Sequence, residues 1–246
     1  MIIGSNFISV RKLTSTNTYL AELIKGQDVP EGTVVTTGFQ TGGRGQAGNK
    51  WESEDGKNLL FSTLIRPPEI SADEQFLISM IISLGVCDFA ERFVPAAFIK
   101  WPNDIYINND KIAGILIENS ILGNITDYSV AGVGFNINQE NFVSEAPNPV
   151  SLKMSTGKDY DIDDCLRKAV ADLDKRYKQL IAGNFSEIRD NYTGKLYRYL
   201  EWSEYSGKEG SFTGKIRSVT PQGLLLIERR SGKTESYAFK EIDFIL

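Results

Sequence analysis

Runs of β-branched and apolar residues at Thr33–Gln40 and Asn58–Arg66 read as strands, and a further short strand falls within residues 1–14. Apolar residues on both sides of Asn108-Asn109-Asp110 place a hairpin there. A second hairpin turns at Leu122-Gly123-Asn124 and returns along Tyr128–Ile137. Helical patterns lie between. Thr14-Ser15-Thr16-Asn17 reads as a cap for a helix over Tyr19–Ile24 that stops at Gly26. Ser71-Ala-Asp-Glu74 has capping-box spacing ahead of a helix over Gln75–Phe93, apolar nearly all round and so expected in the core. Asp163–Ala182 carries Leu166, Val170, Leu173, Tyr177, Leu180 and Ile181 on one face, and a shorter helix covers Phe185–Tyr192. Residues 138–160 read as an irregular connector. The predicted class is α+β, a mixed, largely antiparallel sheet backed by helices.

From Glu201 the texture changes. Glycines at 207, 210, 214, 223 and 232 punctuate strands expected near 202–206, 211–219, 223–229, 233–239 and 242–246, which suits a small β-barrel. The expected organisation is a large unit over residues 1–194 and a small one over 195–246.

Thr41-Gly-Gly-Arg-Gly-Gln-Ala-Gly-Asn-Lys-Trp51 puts four glycines, one arginine and one lysine between the first two long strand runs. Glycine at that density costs backbone entropy on ordering and lets amide N–H groups approach an anion, while Arg44 and Lys50 match phosphate or carboxylate. A long loop with no ligand is the plain alternative. Gly43-x-Gly45-x-x-Gly48 fits the dinucleotide fingerprint in letters only, because it runs into turn residues and a strand instead of opening a helix. A phosphate-binding P-loop would need Lys and then Ser or Thr after Gly48, where this chain has Asn49-Lys50-Trp51.

The chain has 246 residues, 41% hydrophobic and 24% charged, enough for one large core or a large and a small one. A net charge of -5 argues against a nucleic-acid-binding surface. The most apolar helix is interrupted by Ser79, Ser83, Gly85 and Asp88 and falls short of the ~20 apolar residues that span a bilayer, so a cytoplasmic protein is expected. Cys87 and Cys165 read as buried apolar fillers. Histidine is absent, which removes Ser-His-Asp and Cys-His catalysis and His-ligated zinc. Chemistry must run on Lys, Arg, Asp, Glu, backbone amides and any bound Mg²⁺.

Lys100-Trp101-Pro102-Asn103-Asp104 and Lys111 form a second polar constellation. Turn chemistry explains Pro102 and Asn103. It leaves Lys100 and Lys111 beside strands, either solvated or facing the same cleft as the glycine loop.

Taken together, Ser15-Thr16-Asn17, Gln40, Gly43-Arg44-Gly45-x-x-Gly48-x-x-Trp51, Lys100–Asp104, Lys111-Ile-Ala-Gly-Ile-Leu-Ile-Glu118 and Gly132-Val-Gly-Phe-Asn136 resemble the biotin–protein ligases. The resemblance implies a class II synthetase-like catalytic core with an SH3-like C-terminal barrel. It implies activation of biotin by MgATP to biotinyl-5′-AMP, then transfer to a lysine of a biotin carboxyl carrier protein, as monomer or homodimer, with ATP and Mg²⁺ as co-substrate and activator. By family likeness Lys111, Arg44 and Asp104 are the catalytic candidates. Ser15, Thr16, Asn17, Gln40, Gly43, Arg44, Gly45, Gln46 and Lys111 would bind biotin. Arg44, Trp51, Lys100, Asn103, Lys111 and Asn136 would face ATP or the adenylate. Asp104 would either orient the attacking lysine or help hold Mg²⁺. Such chemistry needs no histidine, since a carboxylate is already ionised at neutral pH.

Gln46 and Asn49 stand where relatives frequently carry arginine, which is expected to weaken adenylate retention unless Lys50 compensates. Relatives with a DNA-binding role carry an N-terminal helix-turn-helix, and motifs that begin at Ser15 lead us to expect no DNA binding here. A lipoate or octanoate ligase of the same superfamily and a non-catalytic biotin-binding module are the competing expectations. Lys111→Ala should lower adenylation by ~10²-fold or more in a pyrophosphate-exchange assay without unfolding the chain, and Lys12→Ala should be silent. Unchanged turnover would reduce Lys111 to a solvated lysine.

Overall fold

The computed structural model describes residues 1–143 and 148–245. The chain opens with β1 (Asn6–Leu13), α1 (Thr16–Gly26), β2 (Thr33–Gln40) and β3 (Leu59–Ile65). It continues through α2 (Phe76–Ala90), β4 (Phe98–Lys100), β5 (Asp104–Ile107), β6 (Asp110–Leu122) and β7 (Ile125–Phe135). These seven strands form one sheet in the order β1-β2-β3-β7-β6-β5-β4. Only β1 and β2 pair in parallel, because α1 supplies the crossover that a parallel pair requires. The β5–β6 hairpin turns on Asn108, whose φ of 53° is a conformation that Asn tolerates, and the β6–β7 hairpin turns on Gly123. The expected mixed, largely antiparallel sheet is present.

α3 (Leu152–Thr156), α4 (Ile162–Ile181) and α5 (Phe185–Gly194) follow. α2 is apolar on every side because it lies in the core, against the sheet on one flank and α4 and α5 on another. At the closest approach of α2 and α4, a Cβ on Gly85 would stand 2.7 Å from the Leu173 side chain. α4 turns Leu166, Val170, Leu173, Tyr177 and Leu180 inward, while Ile181, at the helix end, is 43% exposed and off that face. α1 packs Leu20 against Val35, Leu64 and Val130 to form a second, smaller core.

Three local expectations are corrected. Ser71 makes no capping hydrogen bond; it opens a 3-10 turn, Ala72–Glu74, bridges to Ile125, and Glu74 pairs with Arg189 at 2.6 Å. The helix therefore starts only at Phe76. The connector contains α3, whose N-terminus is capped by Ser151 accepting from the Met154 N–H at 3.1 Å, a helix too short to show a periodicity. Residues 144–147 of that connector and Leu246 of the last expected strand lie outside the described residues.

β8 (Trp202–Gly207), β9 (Gly210–Val219), β10 (Leu225–Arg229), β11 (Thr234–Tyr237) and β12 (Ile242–Phe244) form a small antiparallel sheet in the order β11-β10-β9-β8-β12. Leu196 still pairs with Ile99 at the edge of the large sheet, and Tyr199 already pairs with Ile216 of the small one. The Trp101 indole N–H donates to the Gly223 carbonyl at 3.0 Å, which fixes the small sheet against the turn after β4. Among the described residues no helix is long and apolar enough to cross a membrane.

Candidate functional site: a cleft floored by glycines

Glycine inside a strand weakens it, so interior glycines mark a close approach. Gly114 of β6 and Gly134 of β7 sit opposite each other, and Gly132 sits opposite Leu116. A Cβ on Gly134 would stand 2.4 Å from the Trp51 indole, and one on Gly114 would stand 2.8 Å from it. A Cβ on Gly132 would stand 2.1 Å from the Asn17 amide oxygen. The bare strip thus admits Trp51 from the glycine loop and Asn17 from α1. Above it opens a cleft of about 790 Å³, walled by the loop, the start of α1, β5, β6 and the edge of the small sheet.

The glycine loop is a small hairpin of its own. Arg44 pairs with Lys50, the Gly45 N–H donates to the Asn49 carbonyl at 2.7 Å, and the Trp51 N–H donates to the Gly43 carbonyl at 3.0 Å. The Gly45 and Trp51 amides are therefore engaged within the loop. The loop also offers the cleft side-chain charge. The Arg44 guanidinium rests on Glu118 at 3.0 Å, with the two side chains 45% and 41% exposed. An ion pair so open to water contributes only about 0–1 kcal/mol, so a better anion can draw Arg44 away.

Lys111 enters the cleft beside a bulge, where pairing shifts between Ile105 and Tyr106 and re-aims the residue. Its ammonium donates to Asp104 at 2.6 Å and lies 5.9 Å from the Trp51 ring centre. The Lys100 ammonium donates to the Tyr106 hydroxyl at 3.2 Å and lies over the Phe244 ring at 5.3 Å. Burial holds the Lys100 ammonium below its ordinary pKa, with Asp104 opposing that shift. Arg44, Lys50, Lys100 and Lys111 line the cleft against two carboxylates, Asp104 and Asp243. The cleft attracts anions although the chain is acidic overall.

The end near α1 is neutral and polar. Ser15, Thr16, Asn17 and Gln40 line it, with the first three almost fully buried. The capping role expected of Ser15 is not made; the Thr16 N–H donates to Gln40 Oε1 at 2.8 Å, so the end of β2 caps α1. Gly45, Gln46 and Trp51 also line the cleft. Gly43 is buried, and a Cβ there would stand 2.6 Å from the Trp51 carbonyl. Asn103 and Asn136 lie behind the wall at 2% and 3% exposure, and Asn136 Nδ2 donates to the Val150 carbonyl at 3.0 Å. Neither lines the cleft, and Asn136 Oδ1 is buried with no hydrogen-bond partner.

Ser62, Glu118, Phe239, Asp243 and Phe244 carry no site role in the sequence expectations. Gly114, Leu116 and Glu118 share one face of β6 by simple alternation, a signal that was readable. Nothing in the chain before Glu201 announces that β12 closes the cleft.

Residues 9–136 match the family model described as the biotin/lipoate A/B protein ligase family. The chain belongs to that family. A biotin/lipoate ligase relative, the bifunctional ligase/repressor BirA of Bacillus subtilis strain 168, is 28% identical over 96% of this chain and 74% of its own length. The biotin–[acetyl-CoA-carboxylase] ligase of Paracoccus denitrificans is 27% identical over 79% of this chain and 83% of its own. Among solved structures, the biotin protein ligase of Aquifex aeolicus in complex with biotin and ATP superposes with a TM-score of 0.80 at 28% identity, over 97% of this chain and 98% of that one. The small C-terminal sheet is included in that superposition.

Gly134→Ala tests the floor. The added methyl must displace Trp51, an overpacking cost of about 1–3 kcal/mol that should lower the thermal midpoint by roughly 2–12 °C and reduce protection by ATP. A midpoint and a protection equal to those of the parent would show that the indole does not lie on the strip.

Proposed function

We propose that this chain activates biotin with MgATP and transfers the biotinyl group to one lysine of a biotin carboxyl carrier protein, acting in the cytoplasm. The observation that carries this reading is the pairing, in one cleft, of a neutral polar end with four cationic side chains. A urea ring with a carboxylated tail needs the first end to hold its ring. The carboxylate and a triphosphate need the second end to meet.

In the first step a biotin carboxylate oxygen attacks the α-phosphorus, the bond to the β-phosphate oxygen breaks, and pyrophosphate leaves. Both reactants are anions, so the work is neutralisation and alignment. Arg44 leaves Glu118 for the carboxylate and α-phosphate, and Lys111 approaches from the opposite wall. Lys100 is held by Tyr106 and Phe244 where the phosphate chain would run. Mg²⁺ would arrive on ATP, since that ion takes one or two carboxylates beside phosphate oxygens and water. Asp104 would help hold Mg²⁺, which would supply further charge neutralisation. In the second step the carrier lysine attacks the acyl carbon, AMP leaves, and the amine loses a proton. Asp104, freed from Lys111, is also the group able to orient that amine. Residues 1–194 would hold both substrates, and 195–246 would close the nucleotide side through Phe239, Asp243 and Phe244.

The test is ATP–pyrophosphate exchange, followed by a carrier-domain mass. Exchange should require biotin, and a purified carrier domain should gain one biotinyl group only with ATP and this chain present. Exchange supported by lipoate and not biotin would replace this reading with the lipoate one; biotin binding without exchange would leave a binding module.

A further inference from the structure

Behind the neutral end of the cleft runs a buried chain of hydrogen bonds whose proton directions are fixed by counting. Asn17 Nδ2 donates to the Leu116 carbonyl at 3.1 Å and to Glu118 Oε2 at 2.8 Å. Neither acceptor carries a proton to give, so the amide cannot be turned round. Asn17 Oδ1 therefore faces the Ser62 hydroxyl at 2.5 Å as an acceptor, and that contact uses the only proton Ser62 has. Ser62 Oγ is also 2.7 Å from Thr16 Oγ1. With its own proton committed, Ser62 must accept there, and Thr16 must donate. No hydroxyl proton then remains for Gln40 Oε1, 3.3 Å from Thr16 Oγ1 and already accepting the Thr16 N–H at 2.8 Å. Ser62 is fully buried and Asn17 is 2% exposed, so water cannot take over either bond.

We propose that Ser62, held by Asn17, is a specificity-determining positioning residue: it draws the Thr16 hydroxyl proton inward, so that Thr16 meets the ligand ring as an acceptor only. Gln40, its oxygen occupied by the Thr16 amide, meets the ring through its N–H groups. The two side by side, acceptor and donor, match the adjacent N–H and C=O of a cyclic urea. A ring that presents an oxygen in place of that N–H would set two lone pairs against each other, and a dithiolane would leave both protein groups unpaired. Gly132 belongs to the same device, since any Cβ there would evict the Asn17 amide. The inference rests on the biotin reading and adds which group sets the ring preference.

The experiment compares biotin with its cyclic carbamate analogue, in which one ring N–H is replaced by oxygen and each regioisomer is measured separately. Calorimetric binding is read on the parent chain, Ser62→Ala and Ser62→Thr. The parent should bind one carbamate regioisomer at least about 100-fold more weakly than biotin. In Ser62→Ala the Thr16 hydroxyl is free to turn and donate to the ring. Biotin should weaken about 10-fold while that regioisomer tightens, and ATP affinity should hold. Ser62→Thr restores the hydroxyl and should restore the parent ratio. A general loosening of the site would weaken both ligands together, so an unchanged ratio in Ser62→Ala overturns the proposal. If that variant does not fold, the parent alone decides, because equal binding of biotin and both carbamates is incompatible with an acceptor-only Thr16. A parent that binds no biotin at all would instead remove the biotin reading itself.

Discussion

The close approach of side chains to a bare strip of β6 and β7 is the constraint on which the rest of the site depends. Gly114, Gly132 and Gly134 give up strand stability so that an indole from the loop and an amide from α1 can lie directly on the sheet. Trp51 on the strip sets where the loop hairpin ends, which in turn sets where Arg44 stands. Asn17 on the strip reaches Glu118, and Glu118 is what Arg44 rests on. The cationic and the neutral ends of the cleft thus share one floor and one carboxylate.

The energetic scale of these contacts suits a binding cycle. Ring-side bonds are buried and fully committed, so breaking one leaves an unpaired polar group at a cost of about 1–3 kcal/mol. The Arg44–Glu118 pair on the anion side is open to water and worth about 1 kcal/mol or less, so it exchanges readily for phosphate or carboxylate. Lys100 is the exception, enclosed by Tyr106 and Phe244 and held partly desolvated. A cation in that state gains more from an arriving anion than a hydrated one does. Under the proposed function the rigid part of the cleft would select the ring, and the loose part would respond to charge.

Much of the fold could be read from the chain because period and punctuation agreed. The two hairpins, the core helix and all five C-terminal strands carry turn residues at the right offsets. Ser71 and Ser15 misled for one reason: both have capping letters, but their helix ends are met by groups distant in sequence, the β6–β7 hairpin at Ser71 and Gln40 at Ser15. The cationic members of the site were legible as types that ordinary strands do not place beside a glycine loop. Ser62 was not, since a serine inside an apolar strand carries no mark of the donor and acceptor count around it. Asn103 and Asn136 sit within the motifs yet are buried away from the cleft lining, which the letters of the motifs do not reveal.

The most direct measurement is the structure of this chain with biotinyl-5′-AMP bound. The account predicts the acyl phosphate between Arg44 and Lys111, within about 2.7–3.2 Å of both, with the ring against Thr16 and Gln40 and Arg44 released from Glu118. An adenylate bound elsewhere, for example in the recess of the small sheet beside Phe212 and Arg229, or bound while Arg44 stays on Glu118, would contradict it.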